Sequence, residues 1–347
     1  MKFKEALSFD DVLLVPQKSE IESRQEIDIS ARIANHNFRL PIISSPMDTV
    51  TEDTMALEMF KNGGLGVVHR YNTIEEQVQI IRNIRENLEE HSSDHLSSIS
   101  AAVGVSSDFL QRTSALYDAG ARILCIDVAH GHHSLLERAL KTIKDRFGES
   151  LSIIAGNVAT VEAFIELSSW GANGIRVGIG GGSICSTRIQ TGHGVPTFQS
   201  IVDCSPACGG DTILIADGGI KTPGDIVKSL AAGADMVMLG SLLAGTSESP
   251  GDIITTAEGQ TRKIYRGMAS IEAQVDWRGE ARSLEGISTT IPYKGPVANV
   301  LRDLCQNIKS GLSYSGASSI REIQLTSSFV RQTAASQKES KTHILNL

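Results

Sequence analysis

Three stretches, "AGARILCID" (119–127), "GANGIRVG" (171–178) and "AGADMVMLG" (232–240), are variants of one pattern. Each begins with the glycine and alanine that are typical of a helix end and runs directly into an apolar segment. The apolar segments are rich in Val, Ile, Leu and Met and do not alternate with polar residues. Such a composition indicates strands that are buried on both faces, as in a parallel sheet between helices. The pattern therefore predicts an α/β fold.

Outward from these stretches, the same alternation of apolar segment and helical segment covers most of the chain. Eight strands are predicted: "LPIISSPM" (40–47), "GLGVVH" (64–69), "SAAVGV" (100–105), "ARILCIDVA" (121–129), "LSIIAGNVA" (151–159), "GIRVGIG" (174–180), "TILIADGG" (212–219) and "DMVMLG" (235–240). Eight such units predict one closed (β/α)8 TIM barrel. The alternative is a doubly wound open sheet. No Gly-x-Gly-x-x-Gly follows the first strand, which weakens that alternative.

The predicted organisation is a single catalytic barrel domain over residues 1–347. Two long segments interrupt the alternation of strands and helices. They are an active-site loop at 178–196 and an excursion at about 248–295 after the eighth strand. Excursions at the carboxyl ends of barrel strands commonly form lids. We therefore expect residues 248–295 to act as a lid or flap.

Composition narrows the class of protein. The chain has 347 residues and a formal net charge of −8, so no global attraction to nucleic acid or anionic membranes is expected. No apolar run is long enough to span a membrane, and no signal core is apparent near Met1. The five cysteines are scattered, odd in number and contain no Cys-x-x-Cys. This argues against a disulfide framework or a zinc site and favours a cytoplasmic enzyme.

Polar side chains follow most of the predicted strands. In a barrel these positions face the active site, and here they are Asp48, His69, Asp127, His130, Asn157, Cys185, Asp217 and Ser241. Structural alternatives exist for several of them. Asp48 could cap a helix, His69 could be an ordinary loop histidine, and Asp127 and Asn157 could bind loop backbone.

The glycine-rich stretch "VGIGGGSICSTRIQTGHG" (177–194) admits three interpretations. A P-loop would need a lysine that is missing, and a linker would not follow a buried strand. The third interpretation is a loop whose backbone approaches a ligand or ion closely, which glycine permits. Cys185 in this loop is a better candidate nucleophile than Cys125, which lies within a strand. Thr187, two residues further on, could pass a proton.

Glycines also follow the seventh and eighth strands, in "IADGGIKTPGDIV" and "MVMLGSLLAG". These two strand ends form the usual phosphate site of TIM barrels. Asp217 is a natural acceptor for ribose hydroxyls. The remaining candidates, which could donate to phosphate, are Gly218, Gly219, Gly240 and Ser241.

A series of motifs then resembles one known family. The motifs are "FDDVLLVPQKSE", "PIISSPMDTVTE", "AGNVAT", "GSICSTRIQTGHGVP", "ADGGIKTPGDI", "MLGSLLAG", "YRGMAS" and "EGISTTIPYKGP". In this order they resemble the IMP dehydrogenase/GMP reductase family over nearly the whole chain. The resemblance implies GMP and IMP as substrates, NADPH or NAD as cofactor, and a homotetramer. It also implies a covalent thioimidate between Cys185 and purine C2, and hydride transfer between C2 and a nicotinamide.

The resemblance also assigns roles to individual residues. Nucleotide contacts are implied for Ser45, Met47, Asp217, Gly219, Gly240, Ser241, Tyr265, Gly267, Met268, Glu285 and Gly286. Contacts near the nicotinamide are implied for Asp127, Ala129 and Asn157. A monovalent cation such as K⁺ would be bound by the carbonyls of Gly180, Gly182 and Cys185, with the tail "ESKTH" (339–343) completing the site. Gly181 and Ser186 depart from the family's Pro and Thr, which makes the loop less rigid.

Two features separate this chain from many dehydrogenases of the family. Only Glu89–Ser98 connects the second helix to the third strand, so the paired regulatory domains inserted there are absent. The flap "ASIEAQVDWRGEARSL" (269–284) contains no Arg-Tyr pair, which dehydrogenases use to activate water. A reductase needs instead a threonine and a glutamate that protonate departing ammonia, and Thr187 and Glu285 match them.

Other motifs divide between the two activities. "DVA" (127–129) and "TPGD" (222–225) are reductase-like, whereas "AHGH" (129–132), "SSPMDTVTE" (44–52) and the ESKTH tail are dehydrogenase-like. Because the flap carries the step that separates the two reactions, we predict NADPH-dependent reductive deamination of GMP to IMP and ammonia. The alternatives are an IMP dehydrogenase without regulatory domains, which oxidises IMP to XMP with NAD through an unrecognised water activator, and a non-catalytic purine-nucleotide sensor.

Overall fold

The structure is a computed structural model that describes residues 3–91, 93–106, 108–281, 284–340 and 342. Its strands, in chain order, are β1 Val12–Leu14, β2 Ala31–Ile33, β3 His36–Phe38, β4 Ile42–Ser44, β5 Leu65–Val68, β6 Ser100–Val103, β7 Ile123–Asp127, β8 Ser152–Val158, β9 Gly174–Val177, β10 Ile213–Asp217, β11 Met236–Leu239, β12 Ile254–Thr255, β13 Thr261–Arg266, β14 Ser288–Pro292 and β15 Phe329–Arg331.

The α-helices pack outside the strands and connect them. They are α1 Asp53–Lys61, α2 Ile74–His91, α3 Phe109–Ala119, α4 Ser134–Phe147, α5 Val161–Ser169, α6 Thr187–Thr191, α7 Thr197–Cys204, α8 Pro223–Ala231, α9 Ile271–Arg278, α10 Val297–Tyr314, α11 Ile320–Thr326 and α12 Ala334–Glu339. Each helix in the described part of the chain is too short or too polar to cross a lipid bilayer.

Strands β4 to β11 form a closed parallel barrel, in the order β4-β5-β6-β7-β8-β9-β10-β11 with β11 pairing back to β4. The predicted TIM barrel is confirmed, and the open doubly wound sheet is excluded by the β11–β4 pairing. All four residues of β5, β6, β9 and β11 are buried, which explains why these segments lack polar alternation.

The glycines of the repeated helix-to-strand pattern occupy the backbone conformation that their position requires. Gly120, Gly171 and Gly233 have φ values of +125°, +103° and +113°. A residue with a side chain is strained in this region, whereas glycine enters it without a Cβ clash. These turns end the helices and lead the chain into β7, β9 and β11.

The barrel strands are shorter than the predicted segments. The segment predicted as 40–47 contains a strand only at Ile42–Ser44, because Met47 N–H already turns back to the Ser45 carbonyl at 2.8 Å. Apolar composition thus continues past the last ladder hydrogen bond into loops that cover the barrel end. The active-site residues lie on these extensions.

The excursion after β11 has secondary structure of its own. Strands β12, β13 and β14 form an antiparallel sheet, and α9 lies between β13 and β14 in sequence. The β13–β14 register pairs Arg266 with Ser288 and Tyr265 with Thr289. This sheet was not predicted, and it is what places the flap residues on either side of α9 next to each other.

Candidate active site

A pocket of about 310 Å³ opens at the carboxyl ends of the barrel strands. Its wall contains nearly every residue to which the sequence assigns a role: Ser45, Met47, Asp127, Ala129, Asn157, Gly180, Gly182, Cys185, Thr187, Asp217, Gly218, Gly219, Gly240, Ser241, Tyr265, Gly267, Met268 and Glu285. These residues come from the ends of six barrel strands and from the flap. The barrel and flap therefore bring the predicted set together in one place.

Gly286 lies just outside this set. It forms an isolated antiparallel bridge with Cys185, and a Cβ at Gly286 would lie only 2.7 Å from the Ser270 nitrogen. It therefore packs behind the nucleophile loop and does not belong to the pocket wall. A contact of Gly286 with the nucleotide stays a prediction.

Three of the strand-end residues predicted to face the active site are not part of the pocket wall. Asp48 is ion-paired with Arg266 at 2.7 Å. His69 is 3% exposed and its Nε2 lies 2.9 Å from Glu52 Oε1, while His130 is exposed on the loop after β7. In each case a local partner or the direction of the loop turns the side chain away, which strand position alone does not reveal.

The candidate nucleophile is the first member of a hydrogen-bonded row. The Cys185 thiol donates to Thr187 Oγ1 at 3.2 Å, and the Thr187 hydroxyl donates to Glu285 Oε2 at 2.7 Å. Donor and acceptor directions run from sulfur to carboxylate. A proton can therefore travel between Cys185 and Glu285 through one hydroxyl.

Backbone contacts hold this row in place across a long separation in sequence. Ser186 N–H donates to the Glu285 carbonyl at 2.9 Å, and Ile287 N–H donates to the Ile184 carbonyl at 3.1 Å. The Ser186 hydroxyl adds a bond to the Leu284 carbonyl at 3.0 Å. The active-site loop and the flap are thus paired as two short antiparallel segments, which fixes Glu285 beside Thr187.

Two glycines let the active-site loop approach the end of β10. At Gly178 φ is +146°, and a Cβ would overlap the carbonyl oxygen of Asp217. At Gly181 a Cβ would collide with Thr197 Oγ1. With Thr197 in its present position, this loop leaves no room for a side chain at position 181.

A buried guanidinium that the sequence analysis missed lies at the base of the pocket. Arg176 Nη1 donates to Asp127 Oδ1 at 2.6 Å, and Nη2 donates to Asp217 Oδ2 at 2.8 Å. Burial alone favours neutral Asp127, but Arg176 and Arg70 more than offset it and lower the pKa of this carboxyl. Arg176 itself is 6% exposed. The visible signal was a charged residue inside the apolar strand "GIRVG".

Replacing Arg176 by methionine is expected to destabilise the protein by about 3–5 kcal/mol at pH 7, because two buried carboxylates lose their shared counter-charge. Asp127 has a lowered pKa, so its ionic contribution is present above its ordinary value of 3.8 and is lost as pH falls through the lowered value. In the variant Asp127 takes up a proton more readily, so the loss in unfolding free energy relative to the wild type should shrink towards pH 5. Urea unfolding at both pH values measures this.

The matched control is Arg85→Met, which breaks an ion pair with Glu89 that is half exposed. Exposed pairs contribute about 0–1 kcal/mol. An Arg176→Met variant that is no less stable than Arg85→Met would contradict the ionic account of the pocket base.

Asn157 offers an unused acceptor at the same end of the pocket. Its amide nitrogen donates to the Gly178 carbonyl and to Asp217 Oδ2, both at 2.8 Å. Its Oδ1 is buried and has no hydrogen-bond partner within the described residues. A buried acceptor without a partner is costly, and a carboxamide NH₂ of the kind a nicotinamide carries would satisfy it. The residues predicted near the nicotinamide therefore fit such a group.

Arg70 and Tyr71 also line the pocket and were not predicted. Arg70 Nε lies 3.5 Å from Asp127 Oδ2. The Tyr71 ring stacks on Trp277 of α9, with centroids 4.2 Å apart and planes 15° from parallel. The flap helix is therefore in direct contact with the loop after β5.

Comparison with known proteins identifies the family. The model of the IMP dehydrogenase / GMP reductase domain matches residues 6–343. The chain belongs to this family. An inosine-5′-monophosphate dehydrogenase of Borreliella burgdorferi is 37% identical, with 98% of this chain and 97% of that protein covered. A GMP reductase of Leishmania major is 32% identical, with 98% and 97% covered.

A solved structure shares the fold of this family member throughout. It is a GMP reductase variant from Trypanosoma brucei, crystallised with guanosine 5′-monophosphate. The TM-score is 0.91 at 31% identity, and 98% of each chain is covered. Members of the family are oxidoreductases of purine nucleotides, and similar proteins bear both the reductase and the dehydrogenase name.

Alignment lengths show what this family member lacks. The alignment with the L. major reductase extends over 477 positions and that with the B. burgdorferi dehydrogenase over 396, whereas this chain has 347 residues. Both relatives therefore carry segments without a counterpart here. Since one is named a reductase and the other a dehydrogenase, missing segments do not separate the two activities.

The predicted cation site stays a prediction. Gly180 and Gly182 line the pocket, and the Gly182 carbonyl already accepts Cys185 N–H at 3.1 Å. Arg188 Nη2 donates to the Val195 carbonyl at 2.8 Å, so a guanidinium lies against the same loop. In the tail Glu339–His343, Lys341 and His343 lie outside the described residues.

Proposed function

We propose that the protein is a GMP reductase, which converts GMP, NADPH and a proton to IMP, NADP⁺ and ammonia. The observation that carries the proposal is the row Cys185–Thr187–Glu285, which ends on a flap without an Arg-Tyr pair between residues 269 and 284. This row supplies a nucleophile and a proton path. Both are needed to expel ammonia from GMP. Hydrolysis of the thioimidate, the step of a dehydrogenase, needs in addition a group that activates water.

The chain's residues act in sequence on the purine. Thr187 passes the Cys185 proton to Glu285, and the thiolate attacks C2 of GMP. The S–C2 bond forms, and the C2–N bond breaks as the same proton returns through Thr187 to the departing nitrogen as ammonia. The intermediate is a thioimidate on Cys185. The proton that leaves Cys185 with ammonia is replaced by one from solution when the thiol is regenerated.

Reduction completes the cycle. A reduced nicotinamide, when bound, supplies a hydride to C2. Asp127, Ala129 and Asn157 would hold its ring and carboxamide beside Cys185. As C2 is reduced, the C2–S bond breaks, IMP leaves and Cys185 regains a proton. The stack of Trp277 on Tyr71 places the flap helix against this side of the pocket, where it would limit access of water to the thioimidate.

The remaining assignments are part of the same proposal. The nucleotide phosphate and ribose are held by the loops after β10 and β11, the purine by the segment around Gly267, and K⁺ by the carbonyls of the active-site loop. One catalytic domain spans residues 1–347. A homotetramer in the cytoplasm remains a prediction.

Two assays with purified protein separate the candidates. One contains GMP and NADPH and the other contains IMP and NAD, and the absorbance of the reduced cofactor is followed in both. Turnover in the first supports the proposal, and parallel assays with NADH decide the cofactor. Turnover only in the second makes the protein a dehydrogenase, and no turnover in either favours a nucleotide sensor.

An IMP dehydrogenase without regulatory domains is the second candidate, and one observation favours it. Arg70 and Tyr71 are adjacent in sequence and both line the pocket, so an Arg-Tyr pair is present outside the flap. Burial raises the pKa of Tyr71, so a smaller fraction of its phenol is ionised and able to act as a base at neutral pH. If the second assay alone shows turnover, Tyr71→Phe should abolish it.

Ser241→Ala is expected to weaken GMP and IMP binding by about 1–3 kcal/mol through the loss of a hydrogen bond to a charged phosphate. Asp217→Asn should weaken binding by a similar amount and also lower stability, because Asp217 shares Arg176 with Asp127. Calorimetric titration with each nucleotide measures both affinities. Unchanged affinity in both variants would remove the phosphate site from β10 and β11.

A further inference from the structure

Arg266 lies in the middle of a segment that lines the pocket but has no place in the pocket wall itself. Its neighbours Tyr265, Gly267, Met268 and Ala269 all contribute to the wall. The Arg266 side chain instead points to two carboxylates from different parts of the chain. What it does for the site must therefore act through its partners.

The first partner is Asp48, on the loop after β4. Arg266 Nε and Nη2 donate to Asp48 Oδ2 at 2.9 and 2.7 Å. The two side chains are only 19% and 10% exposed, and Asp48 Oδ1 is buried without a hydrogen-bond partner in the described part of the chain. Arg266 is therefore the charge that compensates a desolvated carboxylate, and its removal is costly.

This pair holds together two loops that face the nucleotide. Asp48 N–H contacts Met268 Sδ at 3.3 Å, and Arg266 N–H donates to Thr49 Oγ1, also at 3.3 Å. Met47 and Met268, one on each loop, both line the pocket. The Asp48–Arg266 pair thereby sets the distance between the two methionines.

The second partner is Asp276 of α9, whose Oδ2 accepts from Arg266 Nη1 at 2.5 Å. Asp276 is 64% exposed, so its ion pair with Arg266 contributes less to stability than the ion pair between Arg266 and Asp48. The next residue, Trp277, stacks on Tyr71, which lines the pocket next to Arg70. Arg266 thus connects the nucleotide loops to the helix that covers the cofactor end.

We propose that Arg266 is a positioning residue. Through Asp48 it fixes Met47 and Met268 around the purine, and through Asp276 it holds α9 so that Trp277 stays on Tyr71. The inference rests on the proposed function only for the identity of the ligand as a purine nucleotide.

The test uses nucleotide affinity and the exposure of Trp277 together. The chain has two tryptophans, and Trp170 lies at the end of α5, so a Trp170→Phe background isolates Trp277 fluorescence. In that background we compare Arg266→Gln, Asp276→Asn and, as a remote ion-pair control, Lys141→Gln. Titration calorimetry gives Kd for GMP and IMP, and acrylamide quenching reports the exposure of Trp277.

Arg266→Gln is expected to raise both Kd values about tenfold or more, as for one partner of a desolvated charge pair, and to increase quenching of Trp277. Asp276→Asn should increase quenching but change Kd less than about twofold, and Lys141→Gln should change neither. A lower melting temperature for Arg266→Gln with wild-type affinity and wild-type quenching would overturn the proposal, because the residue would then be merely structural.

A second variant covers the case in which Arg266→Gln does not fold. The double variant Arg266→Gln with Asp48→Asn removes the uncompensated carboxylate, and the same changes in affinity and quenching are expected from it. A folded double variant that binds like the wild type would also overturn the proposal. If the wild type binds neither GMP nor IMP, the proposed function fails, whereas the difference in quenching still decides whether Arg266 holds α9.

Discussion

Cys185→Ala is expected to abolish turnover and to leave nucleotide binding largely intact. The sulfur is the strongest nucleophile in the row to Glu285, so its loss removes the proposed covalent route to purine C2. In the proposed function the loops after β10 and β11 hold the phosphate and ribose, and the substitution does not touch them. Steady-state rates with GMP and NADPH, together with titration calorimetry for GMP, measure the two effects separately.

The matched control is Cys305→Ala on α10, a partly buried thiol outside the pocket wall, which should keep the wild-type rate. Cys125 and Cys204 are poor candidate nucleophiles because burial raises the pKa of each thiol to about 12. A Cys185→Ala variant that retains more than about a hundredth of the wild-type rate would show that catalysis does not pass through this residue.

Glu285→Gln is expected to slow the release of ammonia by about 10²–10⁴-fold, the usual contribution of a general acid. Glutamine keeps the size of the side chain and can still accept the Thr187 hydroxyl, whose oxygen lies 2.7 Å from Glu285 Oε2, but it cannot deliver a proton. Hydride transfer between IMP and the oxidised cofactor needs Cys185 and a positioned nicotinamide, and it should be largely spared. Single-turnover kinetics with GMP, compared with oxidation of IMP by NADP⁺, separates the steps.

Thr187→Val serves as the companion variant, since it removes the hydroxyl between sulfur and carboxylate without a large change of shape. It should likewise slow the release of ammonia and largely spare hydride transfer. Equal losses of both half-reactions in Glu285→Gln would mean that Glu285 only supports the turn beside Ser186, and the main argument for reductase chemistry at this site would disappear.

Much of the barrel could be predicted from the sequence because its signals are local. The turn glycines at 120, 171 and 233 and the unbroken apolar strands report burial and backbone conformation within a few residues of themselves. The positions after strand ends follow from the fold, so Asn157, Cys185, Asp217 and Ser241 are correctly placed at the pocket. The strand ends were overestimated where apolar loops continue a strand's composition.

The contacts that could not be predicted join residues that are far apart in sequence. Arg176 is tolerated in a buried strand only because carboxylates on β7 and β10 meet it, and no local pattern shows that convergence. The flap sheet depends on pairing between β13 and β14 across α9. The position of Glu285 beside Thr187 came from the family resemblance alone, since 98 residues separate them.

The pairing of Ile184 and Ser186 with Glu285 and Ile287 also bears on how such enzymes diversify and how they could be engineered. Those bonds run between main chains, so they tolerate many side chains but not a change of length or register. The part of the flap that can be exchanged as a cassette therefore lies between Met268 and Leu284, with the paired edges left in place. A chimera joined at these points would carry the water-activating residues of another family member, while Cys185 and Glu285 stay in register. The inserted segment would then decide which of the two reactions the chimera catalyses.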